Sequence, residues 1–356
     1  MSLVLVIPAH NEENGIAQTL MSAASQTMQP DRIIVICDNC TDGTAELARE
    51  AQGVEVWETE NNTEKKGGAL NQAWDRLYQE LGPEDYLATM DADTELDEHF
   101  FEYALETFKL KSGVGGVCAT FASEPQETPL GLAQQIEYAR FCRAVGRKKG
   151  LAKCLAGAAV VYSARVLKQI YAKRGFLYAP VLVEDYELTL AIRHQGYKVV
   201  APKRCRATTE IMPSLRALWH QRRRWYEGTI QELRRYGWSK YTRRDIGAQV
   251  FTLLTLSLRV LFVVTLLLTF FLVGTLSLPF WALLPLVIFS TVRAVEAWRL
   301  GWKYSVLAAL MFEELYLVLL EIIFVISLTH AYVGRKDIGW VHVTQNEQQE
   351  TVLETT

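Results

Sequence analysis

Short apolar runs alternate with helical spacing through the first half of the sequence, and this pattern restricts the fold more than any other feature. The predicted strands are residues 2–8, 32–38, 54–57 and 86–90. The predicted helices are residues 14–26, 41–51 and 69–81. Such alternation predicts an open α/β sheet with right-handed crossovers, whose ligands bind beyond the carboxyl ends of the strands. Asp38 and Asp91 fall at two of those ends.

The last third of the sequence is dominated by hydrophobic segments, at residues 251–274, 280–292 and 306–333. Only Arg259 interrupts the first, which exceeds the roughly 20 helical residues needed to span a hydrocarbon core of ~30 Å. A buried helical bundle is the alternative. We expect two or three membrane spans, and Arg335 and Lys336 favour an even number because basic residues prefer the cytoplasmic side.

Basic residues cluster just ahead of the first hydrophobic segment, so the positive-inside rule predicts a multi-pass membrane protein with a cytoplasmic N-terminal domain. The cluster consists of Arg222, Arg223, Arg224, Arg234, Arg235, Arg243 and Arg244. The predicted organisation is a catalytic domain at 1–212, a basic interfacial helix region at 213–247, transmembrane helices at 248–333 and a polar tail at 334–356.

The overall charge argues against nucleic acid as a partner, and the cysteine spacing argues against a zinc site. The formal net charge is -3, so no net basic field exists to bind nucleic acid. Cys37 and Cys40 form a C-x-x-C pair without a second ligand pair, which favours free thiols over a zinc site.

Acidic residues at the predicted strand ends are candidates for ligand binding. Asp91 and Asp93 form a D-x-D turn suited to a hard divalent cation, which leaves coordination positions for substrate phosphates. Asp38 follows a buried strand, where a carboxylate can accept hydrogen bonds from a base or ribose. Taken singly, a solvated acidic turn and an Asx-capped turn explain them as well.

Two further motifs offer positive charge and a candidate base. Residues 65–71, Lys-Lys-Gly-Gly-Ala-Leu-Asn, place glycines ahead of a predicted helix, where backbone amides can approach a phosphate. A flexible loop is an equal alternative. Glu184 and Asp185 follow apolar residues, so one carboxylate is expected to be partly desolvated and suited to deprotonating a sugar hydroxyl. An ordinary acid pair at a helix N-terminus is the alternative.

The segment Gln-Arg-Arg-Arg-Trp at residues 221–225 lies on a predicted amphipathic, basic helix. Gln221 and Trp225 share a face of that helix with Arg224 beside them. Arginine binds diphosphate in a bidentate manner, and tryptophan offers a flat surface to a sugar ring. An interfacial helix whose arginines contact lipid headgroups is the other interpretation.

These motifs, in this order, resemble those of the family-two inverting glycosyltransferases of the GT-A fold. The similar branch contains cellulose, chitin, hyaluronan and poly-N-acetylglucosamine synthases, and the match covers residues 6–228. The resemblance implies a GT-A (Rossmann-like) α/β domain followed by C-terminal transmembrane helices. Asp-Asn-Cys at 38–40 departs from the usual Asp-Asp-Gly or Asp-Gly-Ser, and Val183 replaces the threonine of Thr-Glu-Asp.

The resemblance also implies a role for each matching residue. The implied donor-binding residues are Pro8, Asn11, Glu12, Asp38, Lys66, Asp91, Gln221 and Arg224. The implied acceptor-binding residues are Gly157, Glu184 and Trp225. Asp93, with Asp91, is the implied metal ligand, and Asp185 is the implied base.

The function expected on these grounds is transfer of N-acetylglucosamine or glucose from a UDP-sugar to a saccharide or lipid-linked acceptor, with Mg²⁺ or Mn²⁺. The lipid bilayer is an expected partner, as are a second copy of the chain or a partner membrane subunit. Processive members of the branch usually carry transmembrane helices before the catalytic domain, whereas this sequence opens on a strand. Transfer of a single sugar to a lipid or protein is therefore an alternative, and a non-catalytic membrane scaffold is another.

Overall fold

The computed structural model describes residues 1–124, 127–147, 150–274, 280–298, 301–310 and 313–333. The predicted polar tail at 334–356, with Arg335 and Lys336, lies outside the described residues. The described chain forms two compact units. The first contains the residues up to 218 except for 127–137, and the second contains 127–137 together with the residues from 219 onward.

The strands are β1 Leu3–Ala9, β2 Arg32–Cys37, β3 Val54–Glu58, β4 Tyr86–Met90, β5 Thr94–Leu96, β6 Val114–Cys118, β7 Thr120–Ala122, β8 Ala159–Ser163, β9 Lys198–Val200 and β10 Arg206–Thr209. The helices are α1 Ile16–Ala24, α2 Thr44–Glu50, α3 Lys65–Leu77, α4 Phe100–Leu110, α5 Pro129–Arg147, α6 Ala164–Arg174, α7 Glu184–His194, α8 Leu215–Tyr236, α9 Arg243–Val273, α10 Phe280–Ala297, α11 Trp302–Ala309 and α12 Glu313–Val333.

A seven-stranded sheet in the order β3-β2-β1-β4-β8-β6-β9 organises the first unit, and its α/β class confirms the prediction. The four predicted strands are neighbours, and β1 pairs in parallel with both β2 and β4. β8 runs antiparallel to β4 and β6, so the sheet is mixed. A smaller sheet, in the order β5-β10-β7, follows the end of β4.

Both faces of the main sheet are covered, which explains why β1 is apolar at all seven positions. Successive side chains of a strand point to opposite faces, and β1 divides its residues accordingly between two cores. Leu5 and Ile7 pack with helices α1 and α4, while Val4 and Val6 pack with α3, α6 and α7. The carboxyl ends of β1, β2 and β4 therefore open at one edge of a rigid sheet.

The prediction that glycines precede the third helix is wrong. α3 begins at Lys65, so Gly67 and Gly68 lie inside its first turn. Glycine costs about 1 kcal/mol relative to alanine within a helix. Burial of an apolar α3 face that includes Leu70 and Trp74 offsets this cost. A Cβ on Gly68 would lie 2.0 Å from Asn62 Oδ1, so glycine here serves close packing.

The second unit contains two helices long and apolar enough to cross a membrane among the described residues, namely α9 and Glu314–Val333 of α12. None of the most apolar stretch of α9 is buried within the protein, so the buried-bundle alternative does not account for that helix. The hydrophobic segment at 306–333 includes the end of α11, at Ala309, and all of α12. Within it, Glu314–Val333 is the part long and apolar enough to cross a membrane.

Candidate active site

Hydrogen bonds connect the loop that follows β1 to the loop that follows β2, at the carboxyl edge of the sheet. Asn11, in the left-handed region with φ 55°, accepts a hydrogen bond at Oδ1 from the backbone N–H of Thr41 at 2.8 Å. The backbone N–H of Glu12 donates to Thr44 Oγ1 at 2.7 Å. Pro8 is buried in β1 immediately before this loop. Three predicted donor-binding residues thus belong to one braced segment.

Asp38 lies just beyond β2, and its side chain is held by three donors. Thr59 Oγ1, Asn39 Nδ2 and Asn62 Nδ2 donate to its Oδ1 at 2.9, 2.9 and 2.8 Å. In the part of the chain that the structure describes, every side-chain hydrogen bond to this carboxylate ends on Oδ1, which leaves Oδ2 available to a ligand. Asp38, the predicted nucleotide-binding acid, is therefore held in place through one carboxylate oxygen, and the other oxygen can accept hydrogen bonds from a ligand.

Lys66 brings a positive charge to the end of β4. Its Nζ donates to Asp91 Oδ1. Burial works to lower the pKa of Lys66, but the Asp91, Glu184 and Asp185 carboxylates outweigh burial and the pKa is raised. The ammonium is therefore kept charged at neutral pH. The predicted donor-binding residues Lys66 and Asp91 are in direct contact.

Asp93 lies two residues beyond Asp91 in a strongly negative environment. Burial and nearby carboxylates raise the pKa of Asp93 to about 7. The carboxylates are those of Asp91, Glu12 and Glu210, and the Thr94 hydroxyl donates to Asp93 Oδ1 at 3.2 Å. Charges that repel one another in this way attract a cation.

The donor set fits a hard divalent cation only in part. Two aspartates supply the oxygen ligands that Mg²⁺ prefers, and Mg²⁺ usually takes one or two carboxylates together with substrate phosphates. Among the described residues, no group of three or more His, Cys, Asp or Glu side chains is arranged to hold a metal. Asp91 and Asp93 would therefore hold such an ion jointly with a phosphorylated substrate.

Asp185 lies in the first turn of α7, and backbone N–H groups hold both of its carboxylate oxygens. Gly157 N–H donates to Oδ2 at 3.1 Å, and Tyr186 N–H donates to Oδ1 at 2.7 Å. A Cβ on Gly157 would lie 2.8 Å from Lys66 Nζ and 3.6 Å from Asp185 Cβ. Glycine at this position lets the candidate base approach Lys66. Gly157, Lys66, Asp91 and Asp185 therefore cluster beyond β4.

The loop before Glu184 is attached to α3 by Asn71, the last residue of the Lys-Lys-Gly-Gly-Ala-Leu-Asn motif. Asn71 Oδ1 accepts the N–H groups of Leu177 and Tyr178 at 3.1 and 2.9 Å, and its Nδ2 donates to the Tyr178 carbonyl at 2.8 Å. Within α3, Gly67 lies near Glu184, since a Cβ there would be 3.9 Å from Glu184 Cβ. Asn71 thus holds the segment that leads to the two acids.

Sequence reasoning missed Thr59, Asn62 and Glu210. The first two bond to Asp38 and the third adds to the negative potential at Asp93. Only the Asn-Asn pair at 61–62, typical turn residues between a strand and a helix, gave a local signal. The partners of all three residues are distant in sequence.

In the second unit, the Gln-Arg-Arg-Arg-Trp segment lies on α8. Arg222 is buried, bonds to Glu137 at 2.8 Å and stacks over Trp225 with its guanidinium carbon 4.3 Å from the ring centroid. Arg223 donates to His330 Nδ1 at 2.7 Å. Arg222, only 3% exposed, is thus held inside this unit away from any lipid headgroup. For Arg223, which is 21% exposed, the lipid-headgroup interpretation remains a prediction.

The two other predicted donor-binding residues on α8 are Gln221 and Arg224. Gln221 Oε1 is buried and has no hydrogen-bond partner among the described residues. A buried acceptor without a partner is costly, and such a group often has a functional role. The ligand-binding roles of Gln221, Arg224 and Trp225 remain predictions.

The family model for glycosyltransferase like family 2 matches residues 2–228, and the chain belongs to this family. The matched residues accordingly form a glycosyltransferase domain, and the protein is an enzyme of that class.

Among curated proteins, the chain is similar to bacterial polysaccharide synthases. A poly-beta-1,6-N-acetyl-D-glucosamine synthase of Staphylococcus epidermidis is 26% identical over 240 residues, which cover 66% of this chain and 56% of the relative. The synthase of the same name from Staphylococcus aureus strain MSSA476 is 26% identical over 235 residues, covering 65% and 56%. The chain thus spans about half the length of the curated relatives it matches.

A solved structure of similar fold is a mannosyltransferase from Pyrobaculum calidifontis in complex with GDP-Man and Mn²⁺. Its TM-score is 0.60 at 15% identity, and the alignment covers 94% of this chain and 88% of that chain. The similarity extends beyond the matched domain, and the fold is the GT-A fold predicted from the sequence.

Proposed function

We propose that the protein transfers N-acetylglucosamine from its UDP derivative to a saccharide hydroxyl at a membrane surface and so extends a polysaccharide. The observation that carries this proposal is the cluster of Lys66, Asp91, Gly157 and Asp185 beyond β4, with Asp38 fixed at the same edge of the sheet. The choice of sugar is supported by the poly-N-acetylglucosamine synthases to which the chain is similar.

In the proposed reaction, Asp38 accepts hydrogen bonds from the nucleoside, and Lys66 offers its charge to the diphosphate. The acceptor oxygen attacks the anomeric carbon while the bond from that carbon to the UDP oxygen breaks, which inverts the configuration. Asp185 accepts the proton of the acceptor hydroxyl, and UDP leaves as the diphosphate anion. The two N–H groups bonded to Asp185 orient its carboxylate without removing its capacity to accept a proton.

Asp91 and Asp93 would hold a divalent cation, Mg²⁺ or Mn²⁺, which supplies charge neutralisation for the diphosphate when bound. The negative environment that raises the pKa of Asp93 supports this assignment. Lys66 occupies one oxygen of Asp91, so the ammonium and the cation would share that carboxylate.

The proposed membrane location rests on α9 and α12. An α-helix rises 1.5 Å per residue, so the 31 residues of α9 extend about 46 Å, longer than a hydrocarbon core of ~30 Å. Their apolar side chains are exposed, as lipid contact requires. The basic residues before α9 favour the cytoplasmic side for the catalytic domain.

The test is incubation of the purified full chain, in detergent, with UDP-N-acetylglucosamine, UDP-glucose and GDP-mannose in parallel. Mass spectrometry of the products should reveal a ladder of N-acetylhexosamine additions from UDP-N-acetylglucosamine alone. A single addition to a lipid or protein would support the single-transfer alternative. Consumption of another donor in preference would overturn the sugar assignment, and consumption of none would favour the scaffold.

A further inference from the structure

The loop between β3 and α3 contains a residue that joins the two sides of the candidate donor site. Asn62 Nδ2 donates to Asp38 Oδ1 and to the Lys65 carbonyl, each at 2.8 Å. Asn62 Oδ1 accepts the Glu64 N–H at 3.0 Å, and the Asn62 carbonyl accepts Asn39 Nδ2 at 3.1 Å. One side chain thus connects the acid after β2 to the first residue of α3.

The backbone around Asn62 adopts a conformation that needs support. Asn61 and Lys65 have φ values of 49° and 56°, in the left-handed region that asparagine tolerates but lysine rarely adopts. Such strain persists only where surrounding contacts enforce it, and it concentrates at functional sites. The bonds from Asn62 to Glu64 and Lys65 enforce this turn.

Gly68 is shaped to accommodate Asn62. A Cβ on Gly68 would lie 2.0 Å from Asn62 Oδ1 and 2.9 Å from Asn62 Cγ, distances that no real Cβ contact allows. The glycine therefore costs helix propensity in α3 but permits Asn62 to reach Asp38. Lys66 lies in the first turn of α3 between Lys65, whose carbonyl Asn62 holds, and Gly68, which Asn62 packs against.

We propose that Asn62 is a positioning residue, which acts through Asp38 and Lys66 to set the affinity for the nucleoside diphosphate part of the donor. This inference rests on the proposed donor site. Thr59 offers a contrast, because its hydroxyl also bonds to Asp38 Oδ1 but makes no bond to α3. If bridging matters, loss of Asn62 must weaken binding more than loss of the Thr59 hydroxyl.

The experiment is titration calorimetry of UDP into the full chain and its variants, with donor KM and kcat measured alongside. We expect Asn62→Ala to weaken UDP binding about tenfold, as loss of hydrogen bonds to a charged group implies, and to raise donor KM with a smaller change in kcat. Thr59→Val should weaken binding less than threefold. Asn14→Ala, a matched change at an exposed asparagine, should leave the dissociation constant unaltered.

A double-mutant cycle with Gly68→Ala makes the test specific. The added Cβ would lie 2.0 Å from Asn62 Oδ1 and 2.9 Å from Glu64 Cβ, so Gly68→Ala should weaken binding at least as much as Asn62→Ala. Because both changes remove the same bridge, their effects should be less than additive in the double variant. Additive effects, or an unaltered dissociation constant in Asn62→Ala, would overturn the inference. If Asn62→Ala fails to unfold cooperatively on heating, Asn62→Ser, too short to bridge, replaces it. Absence of UDP binding to the parent protein would instead refute the proposed donor site.

Discussion

Replacing Asp185 with asparagine separates its proposed chemistry from its structural role. The substitution keeps the size of the side chain and removes its charge and its proton affinity. Both oxygens of Asp185 now accept backbone N–H groups, from Gly157 and from Tyr186. An asparagine side chain has a single acceptor oxygen, so its NH₂ group must face one of these donors.

The structural cost follows from that mismatch. A donor left without its acceptor costs about 1–3 kcal/mol when buried, and the half-exposed position of Asp185 points to about 1 kcal/mol. For a domain of this size such a loss lowers Tm by about 2–4 °C. The chemical cost is larger. Loss of a general base reduces kcat by about 10²–10⁴-fold, whereas UDP binding should change little because Asp38 and Lys66 remain.

The assay compares UDP release, product mass, UDP affinity and Tm for Asp185→Asn, the parent and a matched control. Asp75→Asn is that control, since Asp75 is exposed and its bond from the Tyr171 hydroxyl at 2.7 Å survives in asparagine. A kcat for Asp185→Asn within tenfold of the parent would refute the base assignment. A loss of UDP affinity as large as the loss of kcat would refute the separation of donor binding from proton transfer.

Three further outcomes are expected. A chelator should abolish transfer and added Mn²⁺ or Mg²⁺ should restore it in the parent but not in Asp93→Asn; full activity in chelator would contradict the metal assignment. Gly157→Ala, whose Cβ would lie 2.8 Å from Lys66 Nζ, should raise donor KM about threefold to tenfold with Tm almost unchanged, because a flexible ammonium yields more readily than backbone. Arg174→Met should lower the free energy of unfolding in urea by about 3–5 kcal/mol, because it breaks a buried ion pair. Arg174 Nη1 lies 2.8 Å from the carboxylate of Glu187, which is fully buried. A change below about 1 kcal/mol would argue against that pairing.

The sequence predicts the four-stranded half of the sheet well because the signals are local. Each of these strands is a short apolar run, and the acids Asp38 and Asp91 directly follow two of them. Parallel neighbours bring such ends to one edge of a sheet, so periodicity alone places both acids there. The sequence predicts a strand at residues 160–162, inside β8, but not its antiparallel direction, because direction is set by pairing with β4 and β6 after a long connection.

The prediction for the glycines of α3 is wrong for a related reason. A pair of glycines between a strand and a helix usually indicates a loop, and only their contacts reveal another use. Gly68 is matched to Asn62, and Asn62 to Asp38, which is 24 residues away in sequence. The candidate site is therefore only partly predictable: the acids could be found singly, but the residues that hold them in place depend on tertiary contacts.

The charged residues of the hydrophobic helices can likewise be interpreted only from their tertiary contacts. In the sequence, Arg259, Glu314 and Glu321 are interruptions that argue against membrane spans. In the structure, Arg259 Nη2 lies 3.4 Å from a carboxylate oxygen of each glutamate, and Arg293 Nη2 lies 3.0 Å from the other oxygen of Glu314. Charges inside a bilayer are tolerated when they pair with one another. Among the described residues, this network pairs Arg259 and Arg293 with Glu314 and Glu321 and joins α9, α10 and α12. Because these charges are paired, they do not argue against α9 and α12 as candidate spans.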